Sequence, residues 1–150
     1  MKQGDLFDNA RPVRAAFAVT ANIDGGARGN PGPAAYGVVV RNSKGRVLAE
    51  LREYLGNQTN NVAEYSGLLA ALDWAVREKH LSLKVLSDSE LLVRQMRGQY
   101  RVKNPDLKLL YDRAQALVRK LQQFSIEHVR RESNREADRL VNEVLDNRFR

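Results

Sequence analysis

From Phe17 the chain alternates, with Phe17, Val19, Ala21 and Ile23 on one parity and Ala18, Thr20, Asn22 and Asp24 on the other. A period of two predicts a strand. The stretch Gly25-Gly26-Ala27-Arg28-Gly29-Asn30-Pro31-Gly32-Pro33 is punctuated throughout by Gly and Pro and predicts a loop. Ala35 to Arg41 predicts a second strand, Asn42-Ser43-Lys44-Gly45 a turn, and Arg46 to Leu55 a third strand. Such short connections predict an antiparallel meander. The period then becomes helical: Val62, Tyr65, Leu69, Leu72 and Val76 share one face, with Thr59 or Asn60 placed to cap it. Leu83 to Leu86 predicts a strand before Ser87-Asp88, followed by a helix from Ser89 towards Gly98. Pro105 opens another helix, with Leu107, Leu110, Ala114, Leu117, Val118 and Leu121 inward. Phe124 to Val129 predicts a fifth strand, and Asn134 is placed to cap a last helix striped by Ala137, Leu140, Val141, Val144 and Leu145. The order βββαβααβα predicts an α/β fold, a five-stranded mixed sheet flanked by helices. Residues 1–15 are polar and aperiodic and are expected to form a flexible tail ahead of a domain over 16–150.

Composition narrows the chemistry. A chain of 150 residues, 43% hydrophobic, is one domain's worth of sequence with enough apolar residues for a core. No apolar run approaches the ~20 residues that span a bilayer, so no membrane attachment is expected. The N-terminal segment lacks the apolar region of a secretory signal, and a cytoplasmic location and a monomer are expected. There are no cysteines and only two histidines. That excludes disulfides, thiolate metal sites, cysteine nucleophiles and His-rich zinc chemistry.

The net charge of +7 is unevenly distributed. Residues 1–90 carry 11 basic and 10 acidic side chains, whereas residues 91–150 carry 14 and 8. From Leu91 to Pro105 there are Arg94, Arg97, Arg101 and Lys103 and no acid. A one-sided basic excess points to a polyanionic partner, nucleic acid before membrane, against the alternative of a solvated basic face.

Four acids stand at or near element ends: Asp24 closing the first strand, Glu64 in the first turn of the first long helix, Asp88 closing the fourth strand, and Asp138 early in the last helix. Singly, each is explained by capping or by the helix dipole. If strands one and four are parallel neighbours, Asp24 and Asp88 converge at their carboxyl ends, where open α/β sheets bind ligands. Clustered carboxylates repel unless cations lie between them. With no Cys and few His, the donors are hard oxygens suited to Mg²⁺ or Mn²⁺. An acidic pocket in a basic protein is the layout of a metal-dependent phosphodiesterase, in which two ions serve the attacking water and the leaving oxygen.

Four segments carry a more specific signal. Ile23-Asp24-Gly25-Gly26-Ala27-Arg28-Gly29-Asn30-Pro31-Gly32-Pro33-Ala34 resembles the opening motif of type 1 ribonuclease H. Thr59-Asn60-Asn61-Val62-Ala63-Glu64-Tyr65, Ser87-Asp88-Ser89 and Asn134-Arg135-Glu136-Ala137-Asp138-Arg139-Leu140 resemble its second, third and fourth, in order. The resemblance runs from Phe17 to Leu145. It implies a ribonuclease H-like fold and cleavage of the RNA strand of an RNA–DNA hybrid to 5′-phosphate and 3′-hydroxyl ends. It also implies that Asp24, Glu64, Asp88 and Asp138 are catalytic and bind the metal. Gly25 and Gly26 would let backbone approach the minor groove. Asn30, Asn60 and Glu64 would meet ribose, and Arg28 and Thr59 phosphates of the DNA strand. Where the family commonly has Gln after the Asp-Ser pair, this chain has Glu90, which keeps an acceptor and loses an amide donor.

Two departures from longer members are visible. Their basic helical protrusion is replaced by the connector Arg97 to Pro105, whose Arg97, Arg101 and Lys103 are candidates for part of that handle. Their histidine-bearing loop before the fourth motif is replaced by Val129-Arg130-Arg131-Glu132-Ser133, making Arg130 and Arg131 candidate substrate contacts. His128 is expected half-buried on the fifth strand, and His80 at a helix end is ordinary. Two alternatives stay open: a module that holds hybrid or duplex RNA without cutting, against which the intact set of four acids argues, and a nuclease that also accepts double-stranded RNA. In the tail, Gln3-Gly4-Asp5-Leu6-Phe7 resembles the peptide by which bacterial replication proteins hold the sliding clamp, with Gln3, Leu6 and Phe7 as the contacts.

Overall fold

A computed structural model describes residues 16–148. The tail motif Gln3, Leu6 and Phe7 lies outside the described residues. Strands β1 (Val19–Ala27), β2 (Gly32–Asn42) and β3 (Val47–Gln58) form an antiparallel meander. Helix α1 (Asn60–Arg77) leads to β4 (Ser82–Ser87), then α2 (Glu90–Met96), α3 (Pro105–Val118), β5 (Gln123–His128), a 3₁₀ turn (Arg131–Ser133) and α4 (Arg135–Arg148). Among the described residues the sheet has the order β3-β2-β1-β4-β5, with β1, β4 and β5 parallel. The fold is therefore the expected five-stranded mixed sheet flanked by helices.

The core lies mainly between the sheet and α1, α2 and α3. It is built from Val19, Ala21 and Ile23 of β1, Val38 and Val40 of β2, Leu83 and Val85 of β4, and Tyr65, Leu68 and Leu72 of α1. A smaller cluster, Ala35, Val141 and Leu145, seats α4 on the opposite face. Burial of these apolar surfaces supplies the main drive for folding.

The glycine-rich segment departs from expectation. β1 does not stop at Asp24 but continues through Gly25, Gly26 and Ala27, paired with Tyr36, Ala35 and Ala34 of β2. Only Arg28 to Pro31 remain as connection, because ladder pairing satisfies the backbone polar groups of these glycines. β3 likewise extends past Leu55 to Gln58, with a register shift opposite Ala34/Ala35 and Gly56 at φ 75°. Such an irregularity lets a long strand bend without losing its pairing.

Asn134 also does something other than cap α4. It is 1% exposed; its Nδ2 donates to the Ile23 carbonyl at 2.8 Å and its Oδ1 accepts from Asn22 Nδ2 at 3.0 Å. The side chain ties the start of α4 to β1. Thr59, not Asn60, caps α1, its Oγ1 accepting from Val62 N at 3.2 Å.

Candidate active site

The parallel register sets Ile23 of β1 beside Ser87 of β4. Asp24 and Asp88 are the next residues on each chain segment, so the two carboxyls emerge side by side where the parallel pairing ends. Glu64 arrives from α1. It is the fifth residue of that helix, just past the expected first turn, because the helix begins at Asn60. The approach of α1 to β1 depends on Gly25: a Cβ there would collide with the Ala63 carbonyl. One ligand oxygen from each of Asp24, Glu64 and Asp88 lies within 4.8 Å of the others. Asp138, in the first turn of α4, lies outside that trio but lines the same cleft and accepts from Asn142 Nδ2 at 3.3 Å.

Asp24 and Glu64 are withdrawn from water and feel the neighbouring negative charge. Asp24 is 8% exposed, and its carboxyl is pushed up to about 8 by burial first, then by the Asp88 charge and by Asp138, against a lowering contact from the Gly25 backbone. Burial also raises the Glu64 carboxyl well above the usual range, with Asp24 and then Asp88 adding to it. Glu64 Oε1 is shut from solvent and has no hydrogen-bond partner among the described residues. A buried carboxylate oxygen without a partner costs free energy that a bound cation would recover. Three close carboxylate oxygens are the donor set that Mg²⁺ and Mn²⁺ take, so these residues fit the metal expected from the sequence.

The cleft above the acids has a volume of about 460 Å³ and is walled by Gly25, Gly26, Arg28, Asn60 and Arg131 as well as by the four acids. Asn30 and Thr59 face a neighbouring groove between α1 and α3 instead. Asn30 and Asn60 are also structural here: Asn60 Oδ1 accepts from Ala27 N at 2.8 Å, and Asn30 Oδ1 from Asn60 N at 3.0 Å. Arg28 is not a free cation, since it pairs with Asp146 of α4 at 2.7 Å in an exposed contact. Glu90 pairs with Arg94 at 2.9 Å.

The basic connector divides. Arg97 donates from Nε to the Ile126 carbonyl at 3.0 Å, so it holds α2 to β5. Arg101 and Lys103 are exposed and take part in no ion pair among the described residues. Arg131 faces the acid cleft, whereas Arg130 does not line it. His128 is exposed, not half-buried, because β5 ends there, beside Ser87. His80 stacks on Trp74 with centroids 5.0 Å apart.

The sequence reading misses Asn142, which stands one helical turn beyond Asp138 and lines the same cleft. Its spacing from Asp138 is the signal that points to it. Asp146, the partner of Arg28, lies one further turn along the same face.

A family model described as "Reverse transcriptase-like" matches residues 22–144. Over 129 residues, 85% of this chain, the sequence is 50% identical to the bifunctional protein Rv2228c of Mycobacterium tuberculosis, of which it spans 35%. The solved N-terminal RNase H domain of that protein superposes with a TM-score of 0.84 at 48% identity, covering 87% of this chain and 95% of that one. RNase H1 of Halobacterium salinarum superposes with a TM-score of 0.83 at 41% identity, covering 86% and 98%. LC11-RNase H1, solved in complex with an RNA/DNA hybrid, gives a TM-score of 0.82 at 42% identity, covering 88% and 99%. The chain spans about a third of the length of the first curated relatives it matches and 64% of the halobacterial one. By the extent of these matches, the chain belongs to the ribonuclease H family, in its short type 1 form.

Proposed function

We propose that this protein hydrolyses the RNA strand of RNA–DNA hybrids, leaving 5′-phosphate and 3′-hydroxyl ends. Asp24, Glu64, Asp88 and Asp138 would hold two Mg²⁺ or Mn²⁺ ions. The observation that carries the reading is the buried Glu64 Oε1, unpartnered among the described residues, in a carboxylate trio drawn within 4.8 Å. The likeness to an RNase H1 solved with an RNA/DNA hybrid supports the substrate.

The protein's own groups divide the work by position. Asp24 and Asp88 stand where β1 and β4 cease to pair, so neighbouring strands fix them, and Glu64 is fixed by α1. That rigidity sets the carboxylates before substrate arrives. The bound ions would activate the attacking water and stabilise the leaving oxygen. Asn142 orients Asp138 through its amide. Gly26 adds no Cβ to the cleft, and a hybrid backbone can approach the strand there. Asn60 would meet ribose hydroxyls, the group that distinguishes RNA from DNA. Arg131 would offer a cation to the scissile phosphate. Arg28 would exchange Asp146 for a phosphate, an inexpensive trade because the pair is exposed. Arg101 and Lys103 would extend the phosphate track, Thr59 would take a phosphate of the DNA strand along the adjacent groove, and Asn30 would meet ribose beside it. Gln3, Leu6 and Phe7 would tether the enzyme to a sliding clamp, and Leu6→Ala with Phe7→Ala would abolish that binding without altering cleavage.

The test is cleavage of end-labelled hybrid, double-stranded RNA and double-stranded DNA in parallel, with Mg²⁺, Mn²⁺ or EDTA. The expected result is metal-dependent cutting of the RNA strand of the hybrid. Equal cutting of double-stranded RNA would broaden the substrate. No cutting of any substrate, with hybrid still bound, would reduce the protein to a binding module.

A further inference from the structure

Between the acid-bearing helix α1 and the basic connector lies a buried polar contact outside the metal site. Tyr65, the residue after Glu64, is 1% exposed and donates its hydroxyl to Gln95 Oε1 at 2.7 Å. Gln95, on α2, is 6% exposed. With its carbonyl so engaged, its amide Nε2 faces the Arg101 carbonyl at 3.5 Å. Two apolar side chains would fill this space without the cost of burying amide and hydroxyl groups.

The backbone around Arg101 gives the contact a purpose. α2 ends in a tight turn, where Gln99 N and Tyr100 N both donate to the Arg94 carbonyl and Gly98 adopts φ 77°. Residues 101–103 then run without regular structure until Asn104 caps α3 through the amides of Asp106 and Leu107. Within that run, Val102 packs against the core and Arg101 and Lys103 are exposed on either side of it. The Gln95 amide ties the backbone of this run to α2.

We propose that Gln95 is a positioning residue for nucleic-acid binding: it fixes the Arg101–Lys103 strap relative to the helix that carries Glu64, so that phosphate-binding cations and metal-binding acids keep one register. The inference rests on the reading that Arg101 and Lys103 contact hybrid phosphates. A long basic side chain on an unanchored strap must be ordered at the moment of binding, and anchoring removes part of that cost.

The test compares three variants of the full chain with the parent. Tyr65→Phe removes only the hydroxyl, and with it the link from Gln95 to α1. Tyr65→Phe with Gln95→Leu removes both polar groups together, which avoids stranding either one and keeps the fold readable. Arg101→Ala with Lys103→Ala removes the cations themselves. Each is measured for melting temperature, for kcat and KM on hybrid, and for the salt dependence of hybrid binding. The expected result is that Tyr65→Phe, which cuts the Gln95 anchor from α1, raises KM by about twofold to threefold at unchanged kcat. The Tyr65→Phe/Gln95→Leu protein should show a KM raised about threefold to tenfold at unchanged kcat, with a slope shallower by about one unit. A Tyr65→Phe/Gln95→Leu protein with parental KM and slope, while the double alanine variant loses both, would overturn the role of Gln95 and leave the strap as the handle. Parental KM and slope in the double alanine variant would overturn the strap reading and the inference with it.

Discussion

Gly25 and Ala63 meet backbone to backbone, and a Cβ on Gly25 would run into the Ala63 carbonyl. Asp24 and Glu64 are the chain neighbours of this contact, so the closeness of strand and helix is what sets their carboxyls together. Gly25→Ala should therefore destabilise the fold by about 3 kcal/mol or more, because backbone and not a flexible side chain blocks the methyl group. At Gly26 the nearest atom to an added methyl would be Val141 Cγ1, 3.9 Å away. Gly26→Ala should keep the parental urea midpoint while weakening hybrid binding. Equal midpoints for the two variants would contradict the packing argument.

The metal-free protein should lose stability as pH rises. The Asp24 carboxyl sits at about 8 in the fold against 3.8 ordinarily. Between those values the folded chain keeps a proton that the unfolded chain has released. Stability is then greatest below the lower value and falls through the window, by up to about 1.4 kcal/mol per pH unit for each such proton. Glu64 shifts in the same direction and adds to the slope. Melting in EDTA at about pH 5 and about pH 8 reads this directly. Mg²⁺ should raise the melting temperature more at the higher pH, since ions bind the deprotonated carboxylates. Asp24→Asn should flatten the metal-free profile and raise its high-pH end. A flat parental profile in EDTA would refute the buried-charge account.

Arg97 and the pair Arg101 and Lys103 should separate by experiment. Arg97→Ala removes the donor to the Ile126 carbonyl and should lower stability by about 1 kcal/mol with no change in salt slope. Replacing both exposed cations by Ala should leave stability alone and flatten the slope of log affinity against log salt by about two units. Reversed results would put Arg97 on the nucleic acid.

Arg131→Ala should slow turnover by about tenfold or more at unchanged metal affinity, because its side chain faces the acid cleft. Arg130→Ala should stay within about twofold of the parent, because that residue does not line it. A parental rate for Arg131→Ala would remove it from the chemistry.

The strands, the helices and the meeting of Asp24 with Asp88 are legible in the sequence, because each rests on local periodicity and on the one topology that makes strands one and four parallel. What is not legible depends on tertiary pairing. Gly25 to Ala27 read as loop, since nothing local reveals that β2 supplies the missing partners. Asn134 reads as a cap, since the Ile23 carbonyl that binds it is 111 positions away. Arg97 and Arg28 read as free cations, but their partners, Ile126 and Asp146, are likewise remote in the chain. The Tyr65–Gln95 contact spans two helices and leaves no mark in either one's pattern.

The most direct test of the account is the initial rate of hybrid cleavage by Asp88→Asn at saturating Mg²⁺, with hybrid affinity measured in EDTA alongside. Asp88 contributes a carboxylate oxygen to the trio, and the change to Asn preserves its shape while removing its charge. The expected result is a rate lower by at least about a hundredfold, with unchanged folding and undiminished metal-free binding of hybrid. A rate near that of the parent protein would contradict it.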